Sequence, residues 1–141
     1  MKTEVRIFRA LPEDAARIRR AVFMEEQGFH DEFDKADETA SHLVLYIEGT
    51  PAATCRFFPG TSAGEYIVGR IAVRKESRGQ HLGSRVLLAA EEAIRKAGGS
   101  RIVLHAQEQA RPFYEKQGYA AYGTPDLDED HPHIWMAKTL S

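Results

Sequence analysis

A single α/β domain built on a mixed β-sheet is predicted, on three observations. Residues 66–73 (YIVGRIAV) form an apolar strand that runs through a glycine-containing turn into an amphipathic helix, 82–97, and then into a second apolar strand, 101–106 (RIVLHA). Such a strand–helix–strand unit closes as a right-handed parallel crossover. The strands before and after it are joined by short turns, the arrangement of antiparallel neighbours. The chain has 141 residues, 43% of them hydrophobic, with no repeat, no low-complexity segment and no linker long enough to divide it, so one core is expected.

In chain order, residues 4–9 alternate charged and apolar side chains and read as a short edge strand. Leu11-Pro12-Glu13-Asp14 opens a helix, with proline and acids in the first turn where the helix dipole favours them. Ala15, Ile18, Val22 and Phe23 fall at helical spacing, and the helix runs down near Gln27-Gly28. The acidic stretch HDEFDKADETA follows as a short helix or an ordered loop. Strand 42–47 (HLVLYI), a turn at Gly49-Thr50-Pro51 and strand 52–58 read as a hairpin, and 59–64 is a loop into the strand 66–73. After the crossover come a short helix, 110–117, and two strands, 119–123 and 133–140, separated by the acidic loop TPDLDED. The order is β-α-α-β-β-β-α-β-α-β-β, antiparallel first and parallel at the centre.

Composition excludes several classes. A net charge of -2 gives no basic excess for a nucleic-acid backbone. No apolar run approaches the roughly 20 residues of a membrane span, and the first residues, MKTEVRIFRALPED, turn charged at once. The single cysteine, Cys55, rules out an internal disulfide and reads as a buried strand residue. A cytoplasmic domain is expected. The histidines show no spacing that supports a metal site, so none is expected.

The chemistry centres on the turn before helix 82–97. Leu82, Val86, Ala89 or Ala90, Ala93, Ile94 and Ala97 give the helix its apolar stripe, and Glu91 with Arg95 and Glu92 with Lys96 are spaced for i,i+4 pairs. Its first turn holds no acid. Arg74, Lys75, Arg78 and Arg85 gather there instead, at an end the helix dipole already makes positive. Gly79 and Gly83 let backbone N–H groups approach closely. Either this is a solvated basic turn, or it holds an anion such as phosphate.

Two segments carry a resemblance. VGRIAVRKESRGQHLGSRVL resembles the acyl-CoA signature of the GNAT N-acetyltransferase superfamily, with Arg78, Gly79, Gln80, His81, Leu82 and Gly83 in the turn Gln/Arg-x-x-Gly-x-Gly/Ala. His81 stands where the first motif glycine is usual. ARPFYEKQGY resembles the A-x-x-F-Y-x-x-x-G-F/Y segment after the fifth strand. VFMEEQG, DEFDKAD and LHAQ look like the small ElaA-like bacterial branch. The resemblance covers nearly the whole chain and implies the GNAT fold, a mixed sheet of six or seven strands flanked by about four helices.

It also implies acetyl-CoA as co-substrate, without a metal, and an amine acceptor of a small molecule or peptide. Strand 66–73 should splay from strand 101–106, leaving backbone at Ile71, Ala72 and Val73 for the pantetheine arm, with the pyrophosphate on the N–H groups of Gln80 to Ser84. Gln107 stands where an Asn is common and could orient cofactor or water. Tyr114 is the expected acid for the departing thiolate, its phenol remaining protonated at neutral pH; otherwise it is a packed aromatic beside Phe113. Glu25, Glu26 and His105 are the base candidates, each with a purely structural alternative.

Arg70, Glu25 and Phe29 are expected on the acceptor side. Arg70 interrupts an apolar strand and should meet a carboxylate among Glu25, Glu26, Glu32, Asp34 and Asp37, either as a structural ion pair or as a substrate anchor. Arg56 poses the same question. The acids of 31–38 and 126–130 either attract a cationic amine or are solvated. Two other readings compete: a catalytically silent CoA-binding or sensor domain, and an acyl-homoserine-lactone-synthase-like enzyme, suggested by Arg19 to Phe23 with Glu32, Asp34 and Asp37. Exposed edge strands make a homodimer an expectation.

Overall fold

The fold is described by a computed structural model covering residues 2–141. Seven strands form one sheet in the order β1-β2-β3-β4-β5-β7-β6: β1 Thr3–Phe8, β2 Ser41–Ile47, β3 Thr50–Pro59, β4 Glu65–Val73, β5 Arg101–Gln107, β6 Ala120–Asp128 and β7 His131–Thr139. All neighbours are antiparallel except β4 and β5. Three α-helices accompany them, α1 Glu13–Arg19, α2 Leu82–Lys96 and α3 Arg111–Lys116, where about four helices were expected; π- and 3-10 turns take up the remaining helical residues.

The continuous apolar run of β2 reflects burial on both faces. Leu43 and Leu45 point into the larger core beneath α2, whereas Val44 and Tyr46 point into a second core with Ala15, Ile18, Val22 and Phe23. That second core is closed by a π-helical segment, Arg20–Glu26, which continues α1 and ends at Gln27 and Gly28 as the spacing predicted. On α2 the buried stripe is Leu82, Val86, Leu87, Ala90, Glu91 and Ile94. Glu91 therefore does not pair with Arg95. It is 1% exposed and accepts from the Tyr119 hydroxyl at 2.8 Å and from Lys138 Nζ at 3.1 Å, because its stripe position takes it under the sheet. The Glu92–Lys96 pair forms, at 3.9 Å.

Two turns correct the sequence reading. The β2–β3 hairpin turns at Glu48-Gly49, where Ile47 faces Thr50, with φ of 49° and 81°. Two successive positive φ values match the right-handed twist of the flanking strands. The stretch TPDLDED is not a loop: β6 runs through it to Asp128, and only Glu129 and Asp130 turn, at φ 48° and 68°. Its alternation is hidden because one face is solvent and the other carries carboxylates.

The central crossover is parallel, as expected. Its register covers three pairs, Glu65 with Arg101, Tyr66 with Ile102 and Ile67 with Val103. Beyond Ile67 the two strands diverge. On its other edge β4 stays paired with β3 as far as Val73, with an irregularity opposite Cys55, and Arg70 sits there at φ 54°. Cys55 is buried, and burial lifts its thiol to about 12.

Candidate active site

Two cavities flank the divergence of β4 and β5. The first, about 550 Å³, lies between the α2 N-terminus and α3 and is lined by Val73, Arg78, Gly79, His81, Leu82, Gly83, Ser84 and Phe113, among others. Gln80 is exposed in the same turn, and Ala72 sends its side chain to the opposite core. Gly79 has φ 85°, and His81, the residue preceding α2, has φ 60° and ψ 28°. The glycine usual at that motif position is thus matched by a left-handed backbone, which histidine adopts at some cost. At Gly83 a β-carbon would stand 3.4 Å from Phe113, an ordinary contact, so Gly83 lies directly against the Phe113 wall of this groove.

The second cavity, about 310 Å³, lies on the other side of the divergence. Tyr114, Ile71, Gln107, Arg70, His105 and Phe29 all line it, with Glu32, Asp128, Glu129 and His133. The structure therefore brings six of the sequence-selected residues to one pocket. Tyr114 packs edge-on against Phe113 and Tyr119, and burial pushes its phenol upward, so the hydroxyl keeps its proton at neutral pH. Gln107 is held by a hydrogen bond from its Nε2 to Gln27 Oε1 at 2.9 Å. Phe29 stacks on His131 with ring centroids 4.1 Å apart.

Glu25 and Glu26 lie elsewhere. They border a separate recess with Arg74 and Lys75, and Glu26 binds Arg78 through two hydrogen bonds of 2.6 and 2.7 Å, which hold its carboxyl below the usual range. A carboxylate so committed is a weak proton acceptor. His105 remains in the pocket, with Nε2 2.7 Å from Asp126 Oδ1.

Arg70 meets carboxylates as expected: Glu32 at 3.1 Å and Asp34 at 3.4 Å. It belongs to a larger knot. Arg19, 1% exposed, binds Glu32 at 2.8 Å and Asp37 at 2.7 Å, and Arg56 binds Asp37 at 2.9 Å and also Asp34. Three guanidinium groups face three carboxylates, so the knot is neutral in sum. The arginine hydrogen bonds overcome burial at Asp37 and hold its carboxyl below the usual range, while burial prevails at Glu32 and raises it. The pattern of Arg19 with Glu32, Asp34 and Asp37 thus assembles a buried ion network. Glu129 joins the pocket rim by accepting from the backbone N–H groups of His30 and Asp31, both at 2.8 Å.

Sequence reasoning missed His133 as a pocket residue and left Asp126 and Asp128 between the acceptor side and a solvated stretch; His133 and Asp128 line the pocket, and Asp126 stands behind His105. Their only sequence signal was the alternation His131-x-His133 opposite Asp126-x-Asp128, readable once the hairpin turn is placed at Glu129-Asp130.

A family model described as Acetyltransferase (GNAT) family matches residues 7–119. The Bacillus subtilis protein named uncharacterized N-acetyltransferase YjcF is 34% identical over 128 residues, spanning 89% of this chain and 90% of its own. A Lactobacillus plantarum crystal structure titled as an N-acetyltransferase by assignment superimposes with TM-score 0.90 at 30% identity, covering 99% of both chains. Escherichia coli ElaA superimposes with TM-score 0.86 at 23% identity, covering 97% of this chain and 99% of its own; that likeness is one of fold.

Proposed function

Because the chain belongs to the GNAT acetyltransferase family, we propose that it transfers an acetyl group from acetyl-CoA to a primary amine of a small molecule or peptide. The observation that carries this reading is the divergence of β4 and β5 beyond Ile67 and Val103, with a basic, glycine-containing helix start on one side and Tyr114 on the other. Buried backbone groups without partners are costly. The pantetheine arm satisfies those of β4 at Ile71 to Val73, and the pyrophosphate rests on the N–H groups of Gln80 to Ser84, where the α2 dipole and Arg78 favour negative charge.

The amine nitrogen attacks the thioester carbonyl directly, a tetrahedral intermediate forms, the C–S bond breaks as the Tyr114 phenol donates its proton to the leaving thiolate, and the proton shed by the acylated nitrogen restores the phenol. Asp128 and Glu129 at the pocket rim draw in a cationic acceptor, and its surplus proton leaves through a water relay before attack. Arg70 is held by Glu32 and Asp34, so it shapes the acceptor wall.

CoA release measured against a panel of small amines and amine-bearing peptides tests the reading. Tyr114→Phe should lower kcat by about 10²-fold or more while leaving acetyl-CoA affinity nearly unchanged. Full turnover in that variant would remove Tyr114 from its role. Tight acetyl-CoA binding with no turnover on any amine would favour a silent CoA-binding domain.

A further inference from the structure

One side-chain cluster makes and breaks no bond in the acyl transfer, although its Asp128 also stands at the rim that draws in the acceptor. The registers of β5, β7 and β6 place His105 opposite Trp135, Gln107 opposite His133, His133 opposite Asp126, and His131 opposite Asp128. With side chains alternating along each strand, His105, His133, Asp126 and Asp128 emerge on one face, at the wall of the acceptor pocket. One donor atom each from His105, Asp128 and His133 lies within 4.8 Å of the others.

The two imidazoles are oriented. His133, 5% exposed, has Nδ1 2.8 Å from the His131 carbonyl oxygen, and His105 has Nε2 2.7 Å from Asp126 Oδ1. With those nitrogens donating, His133 Nε2 and His105 Nδ1 carry the free lone pairs. The His105 ring is further fixed between His133 at 4.7 Å and Trp135 at 4.8 Å. A carbonyl or carboxylate on the far nitrogen is the arrangement by which metal-binding histidines are held and made more basic.

We propose that His105, Asp128 and His133 form a site for a divalent transition-metal ion of the zinc class. Two imidazoles with one carboxylate suit zinc, cobalt, nickel or copper, whereas magnesium and calcium take mainly oxygen donors. Ligands about 2.0–2.1 Å from a tetrahedral zinc ion stand about 3.4 Å apart, so closing the site draws the donor atoms together by roughly 1 Å and turns the two imidazoles out of their stack, whose planes lie 29° apart. Three protein ligands leave a fourth position open, and here it faces the pocket lined by Tyr114. The single ligand charge leaves the ion net positive, and Asp126 beside His105 offsets part of that. The sequence reading assigned no metal because spacing along the chain cannot show donors drawn from three strands. The site stands independently of acyl transfer.

Titration calorimetry with Zn²⁺ on chelator-stripped, tag-free protein tests this, with Co²⁺ absorption as a second signature. One ion per chain is expected, with tetrahedral Co²⁺ bands and a Zn²⁺-dependent rise in Tm. His105→Ala and Asp128→Asn should each weaken binding by at least about tenfold, Asp126→Asn by less, and His30→Ala, on an exposed loop, not at all. Undiminished binding in both His105→Ala and Asp128→Asn, or an equal loss in His30→Ala, would overturn the site. Acetyl-CoA binding by the same variants keeps the outcomes separate: its retention alongside lost Zn²⁺ binding upholds the site, and its absence in wild type would strike only the acetyltransferase reading. Should one variant fail to fold, the Zn²⁺-dependent Tm shift of the other decides.

Discussion

His81 shows how one residue can look like a departure and still obey the geometry behind the rule. The motif glycine is usual there because the backbone turns left-handed, and His81 takes that conformation at φ 60°. A residue with a β-carbon loses about 1 kcal/mol by doing so. His81→Gly should therefore raise stability by up to about 1 kcal/mol, offset in part by glycine's greater freedom in the unfolded chain. Acetyl-CoA affinity, read by calorimetry, should hold or tighten. A marked fall would show that the imidazole itself contacts the cofactor.

At the scale of elements, the segment between α1 and β2 is held mainly by charge. Its 3-10 turn, Lys35–Glu38, carries Asp37 into the knot with Arg19 and Arg56. In the folded state the Asp37 carboxyl sits below its ordinary value of 3.8. A depressed carboxylate contributes stability above the unfolded value, and that contribution is lost as pH falls through the folded one. The Tm should thus drop steeply below about pH 4, moderated by Glu32, which takes up its proton earlier. Asp37→Asn should cost about 3–5 kcal/mol at pH 7, because two buried guanidinium groups lose a counter-charge, and should flatten the acid limb in thermal melts. An unchanged melting curve would mean that the knot contributes little.

The same segment marks the limit of what the sequence disclosed. Strand and helix types followed from periodicity and turn residues, and Arg70 could be expected to find a carboxylate because an unpaired guanidinium is too costly in an apolar strand. Which carboxylate, and that Arg19 joined it, depended on long-range packing. Glu91 was misread for a related reason: an i,i+4 partner is visible in sequence, whereas Lys138, 47 residues away, is not. His133 stayed hidden because a two-residue turn of Glu129-Asp130 lacks the glycine that announces such hairpins.

For the whole molecule, the sheet consists of two antiparallel ribbons, β1 to β4 and β5-β7-β6. Donor binding should stabilise their junction. Acetyl-CoA at 100 times its Kd should raise unfolding free energy by about 2.7 kcal/mol if it binds only the folded chain. In hydrogen exchange the protection should concentrate in Val68–Val73 and in the turn 78–84. Protection spread evenly over all strands would argue against a seat in the gap.

The seam between the ribbons holds only three residue pairs, Glu65–Ile67 with Arg101–Val103, fastened at its outer end by the Arg101–Glu65 ion pair at 2.9 Å. Mechanically it is a hinge placed at one end of a wedge. Small rotations about it would open or narrow the far end, where the thioester and Tyr114 would meet. On the acetyltransferase reading, a donor spanning the wedge would do more than fill a slot: it would fix the angle between the ribbons and so the width of the mouth offered to the amine.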